Sequence, residues 1–227
     1  MTSDLSDPLP DDRWHELLAL RATRPGAVRE AYLRRRRPER LLSERGSLFL
    51  VAADHPARGS LGVPGDALGM ADRRGLLRRL LVALADPDVD GVLGSPDVVE
   101  ELLLLGALEG KVVIGSMNRG GLHGARWTMD DRFTGYDAGS IARYRLEGGK
   151  MLLRLDDDDA GTASTIEACA RAVSALADEG VLAMVEPLPY LRHEDGSLEL
   201  QRDAASLARA ITVASALGTT SAHTWLK

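Results

Sequence analysis

GGKMLLRLDDDD (148–159), TASTIEACARAVSALADEG (162–180) and VLAMVEPLPY (181–190) together form the stretch whose reading decides the fold. A short apolar run is followed by about eighteen residues with apolar positions at helical spacing, and then by a second apolar run after a glycine, which predicts strand, helix, strand. Parallel strands require such a crossover, so the stretch is one βαβ unit. On its first strand Lys150, Leu152 and Arg154 share one face by two-residue alternation, and Met151, Leu153 and Leu155 share the other. A strand covered on both sides reads apolar on both sides, so a lysine within it needs a reason. The second strand delivers Glu186 after an apolar run, at the carboxyl end where α/β folds gather their ligands.

Outward from this unit the same alternation recurs. Strands are predicted at Leu48–Ala53, Gly91–Gly94, Val112–Gly115, Lys150–Leu155, Val181–Glu186 and Ala222–Leu226, with helices at Asp72–Ala85, Asp97–Leu105, Asp137–Leu146, Thr162–Glu179 and Arg202–Leu217. Two helical stretches, Asp12–Arg24 and Ala27–Ser43, precede them and read as a cap or an oligomer contact. The expected organisation is a tail with capping helices over 1–46 and a βα-repeating body over 47–227. Strands joined by helices predict an α/β fold with a parallel sheet and right-handed crossovers, either open and doubly wound or closed as a (β/α)8 barrel. No GxGxxG follows the first strand and no GxxxxGK[ST] occurs, which lowers the weight of dinucleotide-binding and nucleotide-hydrolysing sheets.

Composition bounds the function class. With 227 residues, 44% hydrophobic and 27% charged, the chain can bury a sizeable core. No segment reaches the roughly 18 consecutive apolar residues of a membrane span, and the acidic, proline-containing start MTSDLSDPLPDD is unlike a signal peptide, so a cytoplasmic globular protein with no membrane partner is expected. The net charge of −6 argues against nucleic acid as a partner, and the run Arg34–Arg37 reads as a solvated helix end. Cys169 is the single cysteine and is expected as a buried small hydrophobe. Asp156–Asp159 read as a solvated turn with a helix N-cap, and the histidines show no metal-ligand spacing, so no metal and no cofactor is assigned.

The basic residues carry more information. Of 28 Lys and Arg only Lys111, Lys150 and Lys227 are lysines. In a chain that uses arginine wherever a surface cation suffices, a lysine is a candidate for work that needs an amine able to lose its proton and attack a carbonyl. Lys111 reads as an ordinary strand-start residue; Lys150 lies on the fourth strand and Lys227 closes the sixth. The predicted strand ends add Asp54 and His55 after the first, Ser116, Asn118 and Arg119 after the third, and Glu186 and Tyr190 after the fifth, while Lys227 follows the sixth. After the third strand runs a long glycine-containing loop, HGARWTMDDRFTGYD (123–137), of the length that more often serves function than connection.

VAADHPARG (51–59), GGKMLLRL (148–155), VEPLPY (185–190) and TWLK (224–227), in this order on successive strands, resemble the class I, Schiff-base aldolases of (β/α)8 fold, which include fructose-bisphosphate, tagatose-bisphosphate and deoxyribose-phosphate aldolases. IGSMNRGG, DDRFTGYDA and GGKMLLR are closer to an actinobacterial aldolase-like family found with inositol catabolism. The resemblance implies that Lys227 forms the Schiff base, with Asp54, Lys150 and Glu186 matching the family's strand-borne acid and lysine positions. That family's barrel has eight strands and six are legible here, so a barrel truncated after the sixth strand is expected.

The chemistry of the residues agrees with those roles. A neutral amine attacks a carbonyl to form an imine that takes up the electrons of a breaking carbon–carbon bond; a second cation and desolvation favour the neutral amine. Glu186, Asp54 and Tyr190 are candidates for proton transfer, Arg119 and Arg154 for holding an anionic group, and Asn118 and His55 for further substrate contacts. The expected partner is a sugar phosphate or related carbonyl compound, with a homo-oligomer as a possible assembly. A barrel isomerase working through Glu186 and Lys150 without an imine, and a non-catalytic barrel remnant, are the alternative readings.

Overall fold

The computed structural model describes residues 7–42, 44, 46–118 and 131–227. The elements are α1 (Asp11–Thr23), α2 (Gly26–Arg34), β1 (Leu50–Ala53), α3 (Arg73–Ala85), β2 (Gly91–Gly94), α4 (Pro96–Leu104), β3 (Val112–Ser116), α5 (Ala138–Arg143), β4 (Gly148–Leu155), α6 (Gly161–Asp178), β5 (Leu182–Arg192), β6 (Leu198–Leu200), α7 (Ala204–Ser215) and β7 (Thr224–Leu226), with a 3-10 turn at His55–Arg58. The α/β alternation read from the sequence is present. The chain forms two compact units: unit 1 comprises Met1–Pro56 and Ser60–Val113, and unit 2 comprises Ala57–Gly59 and Ile114–Lys227.

In unit 1, β1 pairs in parallel with β2, Leu50 beside Gly91 and Ala53 beside Gly94. Gly91 is dictated by backbone crowding, because a Cβ there would lie 1.9 Å from the Val112 carbonyl oxygen. α3 packs on α4 and buries Leu76, Leu77, Leu80, Leu81 and Leu84, an apolar stripe at helical spacing. α2 packs on α4 and stops at Arg34, well short of the expected Ser43. The reason is Arg35, whose backbone turns extended (φ −50°, ψ 126°) and whose side chain is 2% exposed, with Nη1 donating to the Lys111 carbonyl at 2.8 Å. One member of the arginine run is therefore core rather than a solvated helix end.

In unit 2, the Ile114–Ser116 part of β3, then β4, β5 and β7, are neighbours in that order, all parallel. Every residue of β4 is buried, as a two-side-covered strand requires. On its helix-facing side, Gly149 makes room for α5 and α6, since a Cβ there would meet Ile141 at 2.6 Å and Leu176 at 3.1 Å. α6 buries Thr165, Cys169, Ala172, Val173 and Leu176, a single stripe. α7 starts at Asp203, whose Oδ1 accepts from the Ala205 and Ser206 amides at 3.1 and 3.0 Å.

Two boundaries differ from expectation. β5 continues past Glu186 to Arg192 and turns into an antiparallel hairpin with β6, Tyr190 beside Leu200. Pro187 and Pro189 are accommodated without breaking the parallel register, Pro187 beside Leu153 and Pro189 beside Leu155. The acidic run after β4 is also less solvated than expected. Asp156 is 1% exposed and pairs with Arg192 at 2.8 Å, Asp159 pairs with the same guanidinium, and Asp157 takes both Nη atoms of Arg209 at 2.9 Å. Arginines supply the countercharge, and among the described residues no group of three or more His, Cys, Asp or Glu is placed to hold a metal ion.

Candidate active site

Strand register builds the site in layers. Ser116 lies beside Lys150, Lys150 beside Met184 and Met184 beside Trp225; one step along, Leu152 lies beside Glu186. The backbone amide of Lys227 donates to the Val185 carbonyl at 2.9 Å, extending the β7 pairing to the position next to Glu186. Because in-register neighbours of a parallel sheet point the same way, Lys150, Glu186 and Lys227 converge on the face opposite α6.

The convergence is chemical as well as geometric. Lys150 Nζ is 2.7 Å from Glu186 Oε2, and Lys227 Nζ is 2.9 Å from Glu186 Oε1, so one carboxylate bridges two ammonium groups. Side-chain exposure grades across the cluster, 5% for Lys150, 20% for Glu186 and 33% for Lys227. Burial pushes the Glu186 carboxyl up, but the charge and hydrogen bond of Lys150, joined by those of Lys227, outweigh it and hold the group below its ordinary 4.5. The arrangement provides an enclosed cation, a reachable amine and a carboxylate in contact with both.

Other predicted residues are placed differently. Tyr190 is four positions beyond Glu186 on β5, about 13 Å along an extended strand, and is not brought to the cluster. Arg154 is committed: its Nε lies 2.8 and 3.1 Å from the two carboxylate oxygens of Asp131 and its Nη2 makes a further contact to the same group. Both are buried, at 5% and 3% exposure, so an anion-holding role for Arg154 competes with a pair already made. Asn118 is likewise spent on the fold. Its carboxamide accepts from the Leu152 amide at 2.7 Å and donates to the Leu152 and Asp131 carbonyls at 2.8 and 3.3 Å, continuing the β3–β4 ladder with a side chain.

Asp54 and His55 belong to unit 1, where Asp54 follows β1 with 11% of its side chain exposed and His55 Nδ1 lies 3.8 Å from its Oδ1. Arg119 and residues up to 130 of the long loop lie outside the described residues. Asp131 was not legible as a site residue: it sits in a run of polar loop residues, and only the tertiary fold supplies Arg154. Cys169 is buried as expected, its Sγ 3.7 Å from the Leu152 carbonyl oxygen, and desolvation, with the nearby Asp131 charge, pushes its thiol up to about 12.

Residues 46–227 match the protein family described as Cgl0159-like. The crystal structure of Cgl0159 from Corynebacterium glutamicum (Brevibacterium flavum) is 42% identical in sequence and superposes with a TM-score of 0.92, over 96% of this chain and 73% of that one. The chain belongs to the Cgl0159-like family. A Schiff base forming fructose-1,6-bisphosphate aldolase is also similar, at 17% identity and a TM-score of 0.47 over 71% of this chain and 58% of that one. No match is found among curated proteins. Within the Cgl0159-like match lie all three members of the bridged cluster, Lys150, Glu186 and Lys227.

Proposed function

We propose that this chain is a class I aldolase, a carbon–carbon lyase in which Lys227 forms an imine with a sugar phosphate or related carbonyl compound, and that its parallel strands belong to a (β/α)8 barrel. The observation that carries the reading is the Glu186 carboxylate held between Lys150 and Lys227 at 2.7 and 2.9 Å. Lys227 is the more exposed of the two amines, which favours it as the group that meets substrate, while the enclosed Lys150 serves as the fixed neighbouring cation.

The steps follow from these contacts. Glu186 takes a proton from the Lys227 ammonium through their hydrogen bond, and the freed lone pair attacks the carbonyl carbon to give a carbinolamine. Glu186 returns the proton to the carbinolamine hydroxyl, which leaves as water, and the iminium remains. A base removes the proton of the substrate's β-hydroxyl; the carbon–carbon bond breaks, an aldehyde departs and its electron pair passes into the iminium to form an enamine. Protonation of the enamine carbon and addition of water reverse the imine and restore Lys227. The contact with Lys150 at 2.7 Å holds the Glu186 carboxyl in place beside Lys227. The resemblance to a family found with inositol catabolism adds inositol-derived carbonyl compounds to the candidate substrates.

Borohydride reduction in the presence of ketose phosphates and inositol-derived carbonyl compounds tests this. Substrate mass is expected on the Lys227 peptide, and Lys227→Arg is expected to abolish both trapping and cleavage. A label on Lys150 would exchange the two roles. Cleavage persisting in Lys227→Arg without any adduct would sink the imine mechanism, whereas isomerisation without cleavage or adduct would favour proton transfer by Glu186 and Lys150 alone.

A further inference from the structure

Arg36 and Arg37, the end of the arginine run, and Lys111 take no part in the chemistry above, yet all three line one cavity of unit 1. This cavity, of about 450 Å³, is lined by Arg36, Arg37, Arg40 and Lys111, with Leu42 and Val89 among its apolar contacts. The run is anchored through its backbone and its buried member. The Arg36 amide donates to Glu109 at 3.0 Å, the Gly110 amide donates to the Arg36 carbonyl at 2.8 Å, and Arg35 reaches inward to the Lys111 carbonyl. The side chains of Arg36 and Arg37 stay exposed at the rim. Arg36 Nη2 lies 3.5 Å from where a Cβ on Gly110 would stand, against the cavity wall.

Lys111 Nζ is held by the carbonyls of Asp86 and Val89 at 3.2 and 2.5 Å, which fixes an ammonium in the wall. Glu39 and Asp90 are the acidic lining residues, so four cations face two carboxylates in a chain of net charge −6. Asp90 already accepts the Phe49 amide at 2.6 Å, and Arg40 makes an exposed pair with Glu44, the kind that contributes little and yields to a better anion.

We propose that this cavity binds a small phosphorylated organic anion carrying at least two negative charges. Guanidinium groups match phosphate oxygens in paired hydrogen bonds, and Leu42 and Val89 offer a wall for an apolar portion. A concave site in an acidic protein suits a compact anion better than a polymer, which needs an extended basic surface.

Calorimetric titration of the full chain with pyrophosphate, at about 0.15 M ionic strength so that unspecific attraction is screened, tests the site. Saturable one-site binding is expected, weakened about tenfold by Arg36→Gln and further by Arg36→Gln combined with Arg37→Gln, with unchanged circular dichroism; tenfold is the loss of one contact of about 1.4 kcal/mol. Arg171→Gln, an exposed arginine of α6, is expected to bind as the parent does. No saturable binding, equal weakening in Arg171→Gln, or tighter binding of an oligonucleotide than of pyrophosphate in the same assay would overturn the proposal.

Discussion

Replacing Glu186 with glutamine keeps the shape of the side chain and removes the charge that serves two lysines. Lys150 and Glu186 are 5% and 20% exposed, a nearly enclosed pair, and removing one partner of such a pair costs about 3–5 kcal/mol. The glutamine carbonyl can still accept one hydrogen bond from an ammonium, returning about 1.5 kcal/mol. The Lys227 contact is one-third exposed and contributes under about 1 kcal/mol. The expected loss at neutral pH is thus about 3 kcal/mol, measurable by urea unfolding followed through tryptophan fluorescence. The sign with pH is fixed by the depressed carboxyl. A group whose folded pKa lies below its unfolded 4.5 stabilises the fold above that value and ceases to do so as pH falls through the folded value. The gap between parent and Glu186→Gln should therefore be constant from pH 7 to about 5 and narrow below 4.5. A gap under 1 kcal/mol at pH 7, or one that does not narrow in acid, would refute the bridged-carboxylate account.

Other outcomes follow from the same contacts. Asp131→Ala leaves the buried Arg154 cation without its bidentate partner and is expected to cost about 3–5 kcal/mol by the same unfolding assay, a larger loss than Glu186→Gln because no amide remains to accept a hydrogen bond. Cys169, with its thiol pushed up to about 12, should ignore Ellman's reagent in the native protein at pH 8 and react only as denaturant unfolds the chain. Gly91→Ala places a methyl 1.9 Å from the Val112 carbonyl oxygen, and a loss of about 3 kcal/mol or more in unit 1 is expected in thermal unfolding.

Periodicity made the fold class and most element cores legible. The stretch from 148 to 190 is strand, helix and strand in the structure because its apolar spacing is unambiguous and Gly180, at φ +68°, ends the helix. Where the reading failed, a side chain with a distant partner decided the backbone. α2 gives way at Arg35 because its guanidinium finds the Lys111 carbonyl, 76 residues away, and no local propensity encodes that contact. β5 runs on past Glu186 because β4 and β6 hold it from both sides, which overrides what two prolines suggest locally. Asn118 has the look of a strand-end ligand residue, but the adjoining strand uses its amide as a surrogate peptide group.

The scarcity of lysine was the most informative signal, and the structure indicates its physical basis. Each of the three ammonium groups meets oxygen atoms: Lys111 two main-chain carbonyls, Lys150 and Lys227 the two oxygens of one carboxylate. A guanidinium needs acceptors spread in its own plane, whereas an ammonium is compact and directs three donors around a point. The scarce lysines thus sit where a compact cation meets oxygen acceptors, and Lys111 shows that such a place need not be part of a reactive cluster. What separates Lys150 and Lys227 from Lys111 is the acceptor. A carbonyl can only fix an ammonium, while a carboxylate can also take its proton, and sequence alone could not reveal that Glu186 stands between both lysines at once.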